Sequence, residues 1–384
     1  MAFGVYVHIP YCLQRCVYCD FATYEAHQIL PPSDYIAKVK KEIAIKGKAV
    51  IPQTLDTLYF GGGTPSLLEP ELLIDVVKTL NDTGFTFSKN AEVTLEINPA
   101  TLDAQKIEKL IKAGFNRFSV GAQSFNDLLL KIAHRKHSAQ DTRDTLSLLK
   151  SLGVNYSLDL LFALPTQTID DLNRDLDEIL KFDPPHVSPY CLTVPESNPM
   201  AKNRPIENDQ VLMFNIIEKA LASGGLERYE ISNFAKPGFE SRHNKLYWDD
   251  EPYWGVGLSS HSYLKLKPWG VRFWNQRSIT DYVTHIDALE SWSLSGLVPK
   301  DAEYLNENQA LTDFFHISLR CKKGVNSKDF EDKFQRPLLT VAGPQISDLK
   351  ARKLIEDTQN GGFRLTHEGI LISNFVFEKF TFLS

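Results

Sequence analysis

The sequence predicts an α/β fold, a partial (β/α)6 barrel followed by a smaller, α-rich C-terminal domain of winged-helix-like texture. Short β-branched or aromatic runs alternate with helix-like stretches up to residue 224, the pattern of a parallel sheet with crossover helices. The stretch that would complete an eight-unit barrel, 225–290, is instead rich in Gly, Trp, Tyr and Asn and reads as irregular strands and loops. From about residue 300 the texture changes to a helical run at 306–320, charged short segments at 327–356, and GGFRLTHEGILISNFVFEKF, a small hairpin followed by a helix.

Taken in order, the strands fall near 4–9 (GVYVHI), 55–60 (LDTLYF), 92–97 (EVTLEI), 117–122 (RFSVGA), 156–162 (YSLDLLF) and 187–193 (VSPYCLT). The helices between and after them fall at about 33–48, 68–81, 103–113, 139–152, 169–181 and 208–223. The third has Thr101 as its expected N-cap and Gly114 as its stop. The expected domains are therefore 1–224 for the barrel, 225–299 for an extension of it, and 300–384 for the C-terminal domain. No fixed-period repeat or low-complexity tract interrupts them.

Composition narrows the function. Of the 384 residues 43% are hydrophobic and 23% charged, as in a globular protein with a sizeable core. Lys and Arg total 42 against 48 Asp and Glu, and a net charge of −6 offers no basic field for a phosphate backbone, so nucleic acid is not an expected partner. The start, MAFGVYVHIPYC, lacks the features of a secretory signal, and no apolar run approaches the ~18 residues of a membrane span. A cytoplasmic location follows as the expectation, and in a reducing compartment five cysteines point to thiolate chemistry rather than disulfides.

Cys12, Cys16 and Cys19 form C-x-x-x-C-x-x-C directly after the first strand, at the sheet edge where α/β folds place their chemistry. A four-iron cluster normally takes four thiolates. Three leave one iron open to a chelating molecule, and the amino and carboxylate groups of S-adenosyl-L-methionine could fill it. Zinc is the alternative, and would need His8 or His27 as a fourth ligand. Cys191 and Cys321 read as ordinary buried thiols. Gly61, Gly62, Gly63 and Thr64 follow the second strand, where glycines admit close approach to a ligand or simply make a tight turn. Glu96 and Gln123 lie at the carboxyl ends of the third and fourth strands, within reach of a cofactor or as loop-capping polarity. Asp159, inside an apolar strand, must be a ligand contact or the partner of a buried cation, for which Arg135 is the candidate.

YVHIPYCLQRCVYCDF resembles the signature of the radical S-adenosylmethionine (radical SAM) superfamily, and its Y-x-H-I-P-x-C start is similar to the HemN coproporphyrinogen dehydrogenase group within it. LYFGGGTPSLL, LEINP, VGAQSF, LDLLFALP, PPHVSPYCL, YEISNFAKPG, HNKLYW and GVGLSSHSY follow in the order of that group, over about residues 4–265. The resemblance implies a [4Fe-4S] cluster on Cys12, Cys16 and Cys19 in a radical SAM barrel. It also implies an S-adenosylmethionine site in which Gly61 to Thr64 take the methionine part, Tyr6 and Tyr18 lie beside the cofactor, and Glu96, Gln123, Arg135 and Asp159 contribute polar contacts. In that group the arginine and aspartate belong to a second cofactor or substrate-side site; a structural salt bridge is the alternative here.

Within the group the resemblance divides. Oxidising members carry a further cysteine two residues after the third thiolate, where this sequence has Phe21, and a longer segment ahead of the motif, where 11 residues precede Cys12. These departures, with the H-N-x-x-Y-W segment from His243 to Trp248, resemble the HemW branch, regarded as haem chaperones. His243 could give a nitrogen to haem iron with Tyr247 and Trp248 covering the macrocycle, or be a hydrogen-bonded structural histidine. His261, in a turn expected to line the cofactor cavity, is the second candidate. The implied function is binding of haem and its transfer to an acceptor protein, which the resemblance would allow at a membrane, by a chain that may be homodimeric in that branch's manner. The rivals are oxygen-independent coproporphyrinogen III dehydrogenase and radical-dependent haem modification.

Overall fold

The computed structural model describes residues 2–50, 54–359 and 361–382. Met1 and Ser384, the outer limits of the expected domains, lie outside them. Six strands run parallel: β1 (Gly4–Ile9), β2 (Thr54–Gly62), β3 (Thr86–Ile97), β4 (Arg117–Gln123), β5 (Asn155–Phe162) and β6 (His186–Cys191). Their apolar residues, such as Val5, Val7, Leu58, Phe60 and Leu95, are buried against the helices outside. Those helices are α1 (Pro32–Val50), α2 (Pro70–Asp82), α3 (Ala104–Lys112), a short α4 (Asp127–Ile132), α5 (Ala139–Ser151), α6 (Ile169–Phe182) and α7 (Glu207–Ser223). Capping boxes at Ser138–Asp141 and Thr168–Asp171 fix the starts of α5 and α6.

The six units match the expected order, with three local corrections. Asp103, not Thr101, caps α3, accepting from the Lys106 N–H at 2.9 Å, while the Thr101 hydroxyl donates to the Asn98 carbonyl. The sequence reading omitted α4, whose six residues are too few to show a helical period. Cys191 ends β6 exposed rather than buried.

Residues 225–290, expected as irregular strands and loops extending the barrel, form short strands that lengthen the sheet at both edges. Two-residue strands β7 (Glu227–Arg228) and β8 (Phe234–Ala235) extend the sheet beyond β6, and α8 (Arg242–Trp248) follows. Strand β9 (Tyr253–Val256) then pairs in parallel with β1 on its free side, and β10 (His261–Leu264), β11 (Val271–Trp274) and β12 (Ala302–Tyr304) continue antiparallel. Among the described residues this makes one sheet in the order β12-β11-β10-β9-β1-β2-β3-β4-β5-β6-β8-β7. Segments of two to four residues are too short to show a period, and tertiary pairing alone defines them.

Helices α9 (Ile279–Ala288) and α1 hold this extension through one buried ion pair. Lys46 lies 2.9 Å from Glu42 and donates to Asn275 Oδ1 at 2.7 Å. The Glu42 carboxylate, fully buried, also accepts from Asn275 Nδ2, the Gly257 N–H and the Tyr282 hydroxyl. Beyond it, α10 (Glu307–Arg320), α11 (Ser327–Phe334), α12 (Leu338–Ala351), a hairpin of β13 (Ile355–Asp357) and β14 (Phe363–Leu365), and short helices α13 (His367–Leu371) and α14 (Ser373–Lys379) enclose a second core. Phe315 is its centre, stacked on Phe380 at 4.6 Å.

Removing one partner of a buried, fully hydrogen-bonded pair strands the other charge. Glu42→Leu is expected to cost about 3–5 kcal/mol and Glu42→Gln less, read as the loss of unfolding free energy in urea; equal stability of Glu42→Leu and the parent would show that this pair does not hold the extension.

Candidate functional site

The carboxyl ends of β1 to β6 open on a cavity of about 370 Å³. The loop between β1 and α1 carries the three cysteines, and backbone pairing ties it down at both ends: the Tyr24 N–H donates to Pro10 O at 2.8 Å, while Gly63 N–H donates to Ile9 O and Thr64 N–H to Tyr11 O, each at 2.7 Å. Gly62 sits at φ +110°, and a Cβ there would meet the His8 ring at 2.5 Å. That ring is itself fixed, its Nε2 bonded to Ala22 O at 3.0 Å and its Nδ1 to the Tyr6 hydroxyl at 3.1 Å. Burial holds His8 neutral, down to about 4, so it is a spacer under the loop.

Cys12, Cys16 and Cys19 all line the cavity, as do Tyr18, Gly62, Gly63, Thr64, Glu96, Gln123, Arg135 and Asp159. Tyr6 and Gly61 are not among the lining residues. Tyr6 is packed behind lining residue Tyr59, its ring stacked on that of Tyr59 at 6.1 Å, as in the core-packing alternative. Gly61 faces Glu96, whose Oε1 would lie 2.9 Å from a Cβ at that position.

The polar wall is organised. Glu96 accepts from the Tyr59 hydroxyl at 2.8 Å and from the Gly62 N–H at 3.1 Å. Burial, with the Asp159 charge nearby, still pushes it up to about 7. Asp159 itself is pushed up by burial to about 6. No ion pair joins it to Arg135 among the described residues, so the structural salt bridge is not formed. Arg135 donates instead to Gly121 O at 2.6 Å and to the Cys16 sulfur at 3.5 Å, and also binds Asn98 Oδ1.

The donor set distinguishes the metal alternatives. Zinc needs four ligands at ~2.0–2.3 Å from one point, and among the described residues no three His, Cys, Asp or Glu side chains are gathered around a single-ion position. His8 is bonded at both nitrogens, and His27 points away into an exposed pair with Glu25. Three separated thiols on one loop suit a cluster, whose corners spread the ligands over different irons. Burial pushes Cys12 up to about 11, so its thiolate needs a cation beside it, which iron would supply.

At the opposite end, α8 plugs the barrel floor. Its first N–H groups, of Arg242 and His243, donate to the Glu92 carboxylate at 3.2 and 3.0 Å. His243 is 2% exposed, bonded through Nδ1 to Thr57 Oγ1 at 2.7 Å and through Nε2 to the Tyr247 hydroxyl at 2.8 Å. Neither ring nitrogen is free for iron, and the arrangement is that of the hydrogen-bonded structural histidine. His261 is exposed, its ring 5.8 Å from that of Trp274; its turn packs on the back of β1 at His8, and it does not line the cavity as expected.

Several lining residues escaped the sequence reading: Asn98, Arg117, Ser119, Ser157, His186, Ser188 and Asn244. Ser119 and Ser157 occupy inward positions of otherwise apolar strands, and strand alternation is the signal that could have found them. Asn244 comes from α8, which no local pattern places in the barrel.

Comparison with known proteins agrees with this geometry. Residues 6–179 match the Radical SAM superfamily and 305–372 the HemN C-terminal domain. The chain is 33% identical to the Heme chaperone HemW of Bacillus subtilis (strain 168) over 98% of both chains, and 30% identical to that of Haemophilus influenzae over 98% of this chain and 97% of the other. The fold is similar to that of coproporphyrinogen III oxidase (HemN) from Escherichia coli, with a TM-score of 0.82 at 19% identity over 99% of this chain and 90% of that one. With its cysteine-lined α/β barrel and HemN-type C-terminal domain, the chain belongs to the HemW family and carries the radical SAM fold.

Proposed function

We propose that this chain is a haem chaperone that binds haem and passes it to an acceptor protein, built on a core that holds a [4Fe-4S] cluster and S-adenosylmethionine. The observation that carries the reading is the likeness to curated haem chaperones over nearly the whole chain. Phe21 supports it: at the position where the resembled oxidases have a cysteine stands an aromatic ring 63% exposed at the cavity mouth, an apolar surface in place of a thiol. We place the protein in the cytoplasm; no helix among the described residues is long and apolar enough to cross a membrane. The acceptor, at a membrane or not, and a homodimer remain parts of the proposal.

In this reading Cys12, Cys16 and Cys19 hold three irons, and the Arg135 N–H directed at Cys16 stabilises its thiolate. When bound, the cluster and S-adenosylmethionine supply one-electron reductive cleavage of a sulfonium. Glu96 offers a carboxylate to the cofactor's ammonium, Gly62, Gly63 and Thr64 form the wall beside it, and Tyr18, Gln123 and Asp159 line the remaining surface. Of the two haem-ligand candidates, His261 has the available ring: burial, then the Arg277 and Arg272 charges, keep it neutral below the usual histidine range, the form that binds iron.

The deciding experiment gives cluster-reconstituted protein S-adenosylmethionine, a reductant and coproporphyrinogen III anaerobically, then loads the same preparation with haem and offers it to apo-acceptors. The expected result is no decarboxylated product with retained haem transfer; stoichiometric protoporphyrinogen would establish the oxidase instead. In parallel, haem titrations should show His261→Ala binding at least about tenfold more weakly with an unchanged melt, and His243→Ala melting lower with its affinity kept. The reverse pattern would return the ligand role to His243. Glu96 also gives a proton-linkage signature. Its folded value near 7 lies above its unfolded one, so in cofactor-free protein it contributes stability at low pH that is lost as pH rises through about 7. An ammonium beside it would lower that value and expel a proton. Calorimetry of S-adenosylmethionine binding near pH 6.5 in buffers of differing ionisation enthalpy should detect proton release, absent in Glu96→Gln.

A further inference from the structure

The floor of the cavity holds a buried cation, Arg117, whose charge is met by Glu92 and Asp159 but whose Nε–H has no hydrogen-bond partner. Arg117 opens β4, and at ~3.3 Å per residue its Cα lies about 20 Å along the strand from Gln123 at the cysteine end. Its side chain faces the cavity and the residue is only 2% exposed. Among the described residues its guanidinium makes no hydrogen bond to the protein, and its Nε is buried without a partner. The nearest acid, Glu92, is 3.9 Å away and already accepts both leading N–H groups of α8. Glu92 therefore balances the charge of Arg117 but leaves the donor fork unused. Beside it His186, 1% exposed, spends Nε2 on the Tyr229 hydroxyl at 2.8 Å and has a buried, unpartnered Nδ1. Ser119, whose hydroxyl accepts from Ser157 at 2.8 Å, Ser188, hydrogen-bonded to Asp159, and Asn244 are short polar side chains lining the same cavity.

A guanidinium presents five N–H donors in a planar fork, and leaving a buried one unsatisfied is costly. We propose that the barrel floor is a binding subsite for the carboxylate of a small molecule, with Arg117 as its two-pronged anchor and His186, Ser119, Ser188 and Asn244 as its hydrogen-bonding walls, separate from the cofactor end of the cavity. Planar fork-to-fork pairing favours a carboxylate. One cation with Asp159 on the same wall favours a monoanion over a dianion such as hydrogen phosphate. The subsite does not depend on the haem reading, because it is defined by the floor alone.

The test uses full-length, cluster-reconstituted protein saturated with S-adenosylmethionine, titrated with sodium propionate and, separately, inorganic phosphate at pH 8, followed by calorimetry and ligand-observed NMR. Propionate should bind and phosphate should not. Arg117→Lys, which keeps the charge but not the fork, should weaken propionate by about tenfold or more, and Ser188→Val, which adds bulk to the floor, should abolish binding. If Arg117→Lys does not fold, Ser188→Val decides alone. Propionate binding that survives Ser188→Val, or that appears only when S-adenosylmethionine is left out, would overturn the proposal, as would no propionate binding at all.

Discussion

Everything at the reactive end of the barrel hangs from the seam between β1 and β2. Two N–H groups just past β2, of Gly63 and Thr64, close on carbonyls at the root of the cysteine loop, and a left-handed glycine beside them makes room for the His8 ring that supports the loop from below. The loop is thereby registered against the strand whose end forms the cofactor wall. Cysteine positions and glycine positions are not two independent motifs but two sides of one hydrogen-bonded seam. A side chain at Gly62 would strain the backbone and displace His8, and with it the Ala22 contact on the far side of the loop.

The seam also explains how the polar wall tolerates its charges. Glu96 reaches Gly62 N–H and the Tyr59 hydroxyl, so one carboxylate is bonded to the glycine turn and to the aromatic layer below it. That layer stacks Tyr59 on His243 at 5.0 Å and Tyr6 on both, running from the cofactor end down to α8. Rigid aromatic contact, rather than ion pairing, links the two ends of the barrel, and the carboxyls on the wall keep raised affinities for protons because burial outweighs their hydrogen bonds and, at Asp159, the nearby charges of Arg117 and Arg135.

The sequence made the six parallel units legible because each strand is long enough to show an apolar run and each helix long enough to show a period. The cysteines and glycines were legible because they sit at strand ends, where chain order alone implies proximity. The floor was not. Arg117 opens β4 and Glu92 lies midway along β3, away from the carboxyl ends where chemistry is usually sought, and α8 arrives there from 150 residues further along the chain. The pairing within the extension was illegible for a related reason: β7 to β12 are defined by partners, not by their own patterns. Tyr6 is placed beside the cofactor by resemblance alone, and nothing local in the sequence shows that it bonds His8 and stacks on Tyr59.

The H-N-x-x-Y-W segment joins three parts of the molecule, and each residue has its own task. His243 bonds Thr57 on β2 and Tyr247 on its own helix, and Asn244 turns into the cavity. Tyr247 meets Tyr253 edge-on at 4.5 Å, tying α8 to β9. Trp248 lies under the Arg320 guanidinium at 4.6 Å, at the end of α10, and Arg320 is in turn paired with buried Glu230. A single short helix thus seals the floor, braces the added strand and meets the C-terminal domain. For His243 to offer a nitrogen to iron, its bond to Thr57 or to Tyr247 must break and its buried ring must become accessible. The exposed ring of His261 faces no such conflict, and that difference in cost, rather than proximity to the motif, is what favours His261 over His243 in the proposed haem-ligand role.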